Sequence, residues 1–287
     1  MSATASSTPG ASGSDHGHLG TVPASWTQAL LMSRYQFRDY LRSRRFILMM
    51  SIVAVISAIL ITLVVHFRPV GIIGSSTAFY GTLWPGGVGV LIVFAGIIFG
   101  GDAIAGEFQN KTGYFLMGLP IKRWSVYAGK YLAAFAASLV TILVYLLVLI
   151  GFGATYFGAG VVSLELFESL LLAILYLSAL LGTVFLFSSL FKTSMYGVLV
   201  VAVLFLFGFT LIDTLLEDLV GIEPWFIVTY ASGVVGYPFS GVPQHIGHFG
   251  GMTAYNPTYV EGILIMVGYF LWTTLLGLFL FEREEFT

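Results

Sequence analysis

Residues 101–130, GDAIAGEFQNKTGYFLMGLPIKRWSVYAGK, stand between two long apolar runs and carry Asp102, Glu107, Lys111, Lys122, Arg123 and Lys130. Each such charge costs about 2.5–3.5 kcal/mol at the centre of a hydrocarbon layer. The stretch is therefore expected to be a water-facing loop: a short helix, a turn containing Pro120, and the start of a second helix that leads into the next apolar run. Its surroundings decide the class. The chain is 57% hydrophobic and 9% charged, whereas a soluble domain carries about 25% charged residues. Too few charges are present to cover a globule of this size, so the chain belongs in a bilayer.

A hydrocarbon core about 30 Å thick takes roughly 20 apolar residues per helix. Six segments qualify: 46–65, 79–101, 131–152, 169–191, 195–212 and 263–281, the second interrupted by Pro85. The reading is all-α, a polytopic membrane protein with six transmembrane helices. An even number of spans puts both termini on one side, and cations mark the cytoplasmic side. Arg34, Arg38, Arg42, Arg44 and Arg45 precede the first span, and Lys111, Lys122, Arg123 and Lys130 separate the second from the third. With Lys192 and Arg283, eleven of the twelve Lys and Arg side chains fall on that face, leaving only Arg68 opposite. Both termini are expected in the cytoplasm of a cell-membrane protein. The other face carries Glu165, Glu168, Asp213, Glu217, Asp218, Glu223 and Glu261.

Residues 1–22 are rich in Ser, Gly, Ala and Thr and read as a disordered cytoplasmic tail, with residues 23–287 as the membrane domain. From residue 25 to 45 the pattern becomes helical: Trp26, Leu30, Phe37 and Leu41 recur on one side, and Arg34, Arg38 and Arg42 form a ladder on another. Such an amphipathic helix is expected in the inner headgroup layer, aromatic side down. A plain positive stop before the first span accounts for the arginines alone. Between the fifth and sixth spans, residues 213–262 are too apolar for an ordinary loop and interleave Trp225, Phe226, Tyr230, Tyr237, Phe239, Tyr255 and Tyr259 with Gly and Pro. Pieces such as residues 224–235 are too short to cross, so an outer segment that dips into the outer leaflet or lies on it is expected. It reads equally as a gate or as an aromatic belt.

None of the six spans contains Asp, Glu, Lys, Arg or His. Ion-coupled carriers and voltage sensors need such groups within the membrane, and haem anchors and intramembrane metalloproteases need His ligands there. There are no cysteines, which excludes thiolate and iron–sulfur chemistry. A net charge of −2 offers no surface for nucleic acid. His245 and His248, in GVPQHIGHFGG, are three residues apart, but flanking Gly and Pro speak against a helical metal pair, so no metal site is expected. Gly96 and Gly100 form a small-xxx-small pair in the second span. Gly113 and Gly118 have P-loop separation, yet Leu119 and Pro120 follow where Lys and Ser/Thr must stand. The chain does not bind ATP through a P-loop, and no catalytic residues are assigned.

The run Gly101-Asp-Ala-Ile-Ala-Gly-Glu107, then Lys111-Thr-Gly113, Gly118-Leu-Pro-Ile-Lys-Arg123 and Ala128-Gly-Lys130 resembles the type-2 ABC permeases, the ABC exporter type. The Thr-Gly order is reversed from the commonest Gly-Thr, and the six-span layout and Asn256-Pro257 before the last span extend the likeness over about residues 25–285. The resemblance implies a permease subunit, not itself an enzyme, paired with a second permease and with cytoplasmic nucleotide-binding ATPase subunits that hold ATP and Mg²⁺. The helix of residues 102–116 would be the coupling helix. Asp102, Glu107, Lys111, Gly113, Pro120 and Arg123 would contact the ATPase, with Asp102 and Glu107 meeting basic groups there or on the Arg34–Arg42 face. The competing reading is an ATP-independent channel or facilitator. A membrane enzyme built on Glu165, Glu168 and Glu261 has no accompanying motif.

Overall fold

The computed structural model describes residues 24–69, 74–109, 121–158, 162–243, 245–249 and 252–283. The expected tail, residues 1–22, and Lys111, Gly113 and Pro120 of the loop lie outside the described residues. Among the described residues, six helices are long and apolar enough to cross a membrane. Helix α1 (Ser25–Arg42) precedes the first span, α2 (Arg44–Phe67). The second span is α3 (Ser76–Ala95), continued through a π-helical turn at Gly96–Gly100 towards the short α4 (Ala105–Gln109). The third and fourth spans are α5 (Arg123–Phe157) and α6 (Leu164–Leu190). The fifth joins α7 (Ser194–Val203), a π-helical turn and α8 (Phe209–Leu215), and the sixth is α11 (Tyr259–Arg283).

All spans are apolar throughout, so hydropathy alone does not say which of them form the centre. Small residues and hydroxyls decide it. In the second, third and fourth spans 67%, 50% and 56% of the most apolar stretch is buried, against 22%, 17% and 17% in the first, fifth and sixth. A Cβ on Gly96 would come within 2.3 Å of Leu180 Cδ2, and one on Gly100 within 2.8 Å of Val184 Cγ1, so the small-xxx-small pair lets α3 close on α6. Trp84 stacks on Tyr145 at 5.9 Å, and the Tyr145 hydroxyl donates to the Leu83 carbonyl at 2.7 Å. Helix α11 lies along α6, and α1 lies along α5.

The helical expectation stands, with one addition. Strands β1 (Ile246–Phe249) and β2 (Met252–Tyr255) form a short antiparallel hairpin, His248 pairing with Thr253, within the outer segment. Pro85 does not interrupt its span: α3 runs through it, and a Cβ on Gly236 would come within 3.3 Å of its ring.

Helix α1 packs through a second stripe beside the anticipated one, of which Phe37 also packs against the core. Ala29 and Tyr40 are buried, Met32 packs against the core, and Trp26 and Leu30 are exposed. A helix has room for three sectors, here one against α5, an adjoining apolar one facing outwards and a third bearing exposed Arg34, Arg38 and Arg42. The first sector is close-packed because residue 129 is Gly, whose Cβ would lie 2.7 Å from Met32 Cβ and 2.8 Å from the Ala29 carbonyl. Trp26 meets Trp124 edge-on at 4.9 Å. The turn into the first span takes one residue: the Ser43 hydroxyl accepts from the Phe46 amide at 3.3 Å and donates to the Tyr40 carbonyl at 2.7 Å.

Candidate functional site

The end of the bundle rich in cations gathers α1, α2, α4, α5 and α6 around residues 99–107. Both ends of the described chain come here, since the Arg123 guanidinium donates to the Glu282 carbonyl at 2.7 Å and the Ser125 hydroxyl to the Ser25 carbonyl at 2.9 Å. Asp102 accepts a two-pronged pair from Arg45, at 2.7 and 2.5 Å, the geometry that matches guanidinium to carboxylate. Lys130 is only 4% exposed. Its ammonium donates to the Ala103 carbonyl at 2.8 Å and to Glu107 at 2.5 Å. The Ser188 hydroxyl of α6 accepts from the Ile104 and Ala105 amides at 3.0 and 3.1 Å, which satisfies donors that open α4. The Tyr40 hydroxyl donates to the Phe99 carbonyl at 2.9 Å, and burial, chiefly, pushes its phenol well above the usual range, so it stays a donor. A polar pocket of about 140 Å³ remains among Gln36, Tyr40, Arg45, Asp102, Glu107 and Lys130.

Of the short helix, turn and second helix start expected for residues 101–130, the first and last are present, as α4 and the opening of α5. Residues 123–131 already belong to α5, and the second span stays helical to Glu107. Charges that are costly singly are tolerated here because they are paired, Lys130 with a further hydrogen bond to the Ala103 carbonyl. Asp102 and Glu107 do not reach the Arg34–Arg42 ladder; their cations are Arg45, just beyond it, and Lys130, on the third span. Arg34, Arg38 and Arg42 stand exposed, and Arg123 tethers α5 to the end of α11. Sequence reasoning missed Tyr40, Ser188 and the roles of Arg45 and Lys130. Only the Gly-Lys step into an apolar run hinted at one of them, since a lysine at that depth requires a partner.

The sequence matches the family model described as ABC-2 family transporter protein over residues 32–286. The match takes in the clamp at residues 99–107 and all six spans. The chain belongs to the ABC-2 transporter family. No curated protein matches the sequence. An ABC-2 permease is the membrane component of a transporter that works with an ATPase, so this chain is a multi-pass membrane permease and not itself the catalyst.

The opposite end of the permease is built from the outer segment, which wedges inwards. Short α9 (Val228–Ala231), a tight turn at Ser232–Gly236 and α10 (Tyr237–Ser240) bury Val228, Ala231, Val234, Tyr237 and Phe239. Phe239 sits against Tyr80 and so close to Gly81 that a Cβ there would lie 3.0 Å away. Ser169 links the wedge to two spans, accepting from Trp84 Nε1 at 2.8 Å and donating to the Val235 carbonyl at 2.5 Å. Tyr237 donates to the Pro257 carbonyl at 2.7 Å. The fifth span ends where Gly221 adopts a left-handed conformation, φ 67°, that an L side chain resists. Above the wedge, His245 lies 3.2 Å from Glu223, beside Glu261. The hydrogen bond to the Asn256 carbonyl, and then the two carboxylates, raise the His245 imidazole above its ordinary value.

Proposed function

We propose that this ABC-2 permease is the membrane half of an exporter driven by a separate cytoplasmic ATPase, with the segment after the second span as the receiver of the ATPase's movement. The carrying observation is the clamp on residues 102–107, where Arg45, Lys130 and Ser188 tie the start of that segment to three different spans. A displacement applied beyond Gln109 would be passed to those spans as a body, because close-packed interiors transmit strain rather than absorb it. In this reading Asp102 and Glu107 brace the lever, Lys111, Gly113 and Pro120 would meet the ATPase, and Arg123 holds the far side. The basic end with both termini faces the cytoplasm, in keeping with the cation bias. ATP and Mg²⁺ stay with the partner. A second permease completes the transporter, for which the apolar groove of about 610 Å³ between α2 and α7, lined by Leu48, Ile98, Met195, Val198 and Leu199, offers a surface. The six apolar runs read from the sequence, which carry no charge, and an apolar groove of about 520 Å³ among Trp225, Phe226, Leu264, Tyr269 and Trp272 at the other end favour a lipid-like or amphipathic cargo.

Purification of the tagged chain from native membranes in mild detergent is expected to retain a P-loop ATPase with vanadate-sensitive hydrolysis. An ATPase-free oligomer would instead favour a passive channel or facilitator. Within the complex, Glu107→Lys should abolish coupling of hydrolysis to the permease. The exchange Glu107→Lys with Lys130→Glu should restore it if the pair is a brace, and a failure of the exchange in a folded complex would assign Glu107 to the ATPase surface.

A further inference from the structure

Three separated segments of the outer region bring one nitrogen ligand and two oxygen ligands together. Glu223 lies in the extended stretch after the fifth span, His245 at the entrance to β1, and Glu261 in the first turn of α11. One ligand atom from each lies within 4.8 Å of the other two. His245 Nε2 is 3.2 Å from the Glu223 carboxylate. Around tetrahedral zinc, with ligands about 2.0–2.1 Å from the metal, neighbouring ligand atoms lie about 3.3 Å apart. The nearest pair already has that spacing, and an oxygen of the third ligand lies within 4.8 Å of both.

The protonation pattern agrees. His245 Nδ1 is 2.8 Å from the Asn256 carbonyl, an atom that can only accept, so Nδ1 carries the proton. In the neutral ring Nε2 then presents a lone pair towards the carboxylates, the arrangement that a backbone carbonyl imposes on metal-bound imidazoles. The carboxylates are oriented as well. Tyr230 donates to one oxygen of Glu223 at 2.5 Å, and the Thr258 amide donates to Glu261 at 3.2 Å while Thr258 Oγ1 accepts from the Glu261 amide at 3.3 Å. That reciprocal pair is the capping box of α11 and fixes Glu261 at the helix start. Charge leaves a surplus: two carboxylates face a single imidazole, which even when protonated neutralises one of them.

We infer that Glu223, His245 and Glu261 form a binding site for a divalent metal of the zinc class, with water as the fourth ligand, which ties the outer segment to the sixth span. One imidazole with two carboxylates suits zinc, whereas calcium and magnesium favour shells made of oxygen. The site does not depend on the ATPase reading, because its ligands all belong to this chain.

The test uses the full-length chain carrying no polyhistidine tag, in detergent, with His16→Ala and His18→Ala to silence the tail. After chelator treatment, Zn²⁺ is titrated and metal per chain is counted by elemental analysis after dialysis. One Zn²⁺ per chain is expected, weakened by about tenfold or more in His245→Ala and in Glu261→Gln. X-ray absorption of the unsubstituted outer site should show a single imidazole in an otherwise oxygen shell, a readout that needs no outer variant to fold. No saturable binding, equal affinity in His245→Ala, or a shell without imidazole would each overturn the assignment.

Discussion

At the basic end two ion pairs, Arg45 with Asp102 and Lys130 with Glu107, draw α2, α4 and α5 together. At the acidic end, the wedge from Val228 to Ser240 is held by Phe239 against Tyr80 and by hydroxyl bonds from Ser169 and Tyr237 to carbonyls. The difference lies in how the energy is distributed. A buried ion pair is concentrated in two atoms, and removing one partner leaves a desolvated charge behind, so the joint is rigid until it fails. The wedge is secured by many contacts, each small, so losing one leaves the rest in place. Even within the basic end the two pairs differ: the Arg45 side chain is 48% exposed, that of Lys130 6%. Exposure lets water and salt screen the first pair, and the second therefore carries more of the joint's strength.

The largest effect should come from Lys130. Lys130→Met leaves Glu107 without its buried cation and is expected to cost about 3–5 kcal/mol in denaturant unfolding monitored in mild detergent. Adding Glu107→Gln should recover most of the loss. A single variant as stable as the parent would erase the contrast between the two ends. Next comes Gly129→Val, whose side chain has no room beside Met32 and the Ala29 carbonyl. Overpacking of this kind costs about 1–3 kcal/mol, and it should separate α1 from α5, seen as loss of fluorescence coupling between Trp26 and Trp124. The smallest effect is expected at the acidic end, where Tyr237→Phe removes one hydroxyl bond for about 0.5–1.5 kcal/mol. An effect as large as that of Lys130→Met would mean that the wedge hangs on a single bond.

Lys130 shows how much a charge by itself reveals of its place in the fold. Its charge argued for water, and the same charge is satisfied inside the protein by Glu107, 23 positions earlier. Arg45 and Asp102 are 57 positions apart, and nothing in their local pattern names one as the partner of the other. The segment between the fifth and sixth spans stood out in the sequence by its aromatics. Its insertion between the second and fourth spans was not, because Ser169, Trp84 and Val235 meet only when three elements are already packed. For His245 the sequence drew attention to the neighbour three residues away, His248, whereas the structure supplied Glu223 and Glu261 from distant segments.

What the amino-acid sequence determined by itself follows from costs paid residue by residue: six runs too apolar for water, a cation bias between their ends, no P-loop, and a motif at residues 101–130 characteristic of its family. What only the tertiary structure decided is which of six equally greasy helices lie at the centre, which stripe of α1 meets α5, and which charges find one another. Burial in lipid rewards every apolar residue alike, so hydropathy carries no information about neighbours. The close approaches at glycines and the pairing of distant charges do, and they exist only once the helices are together.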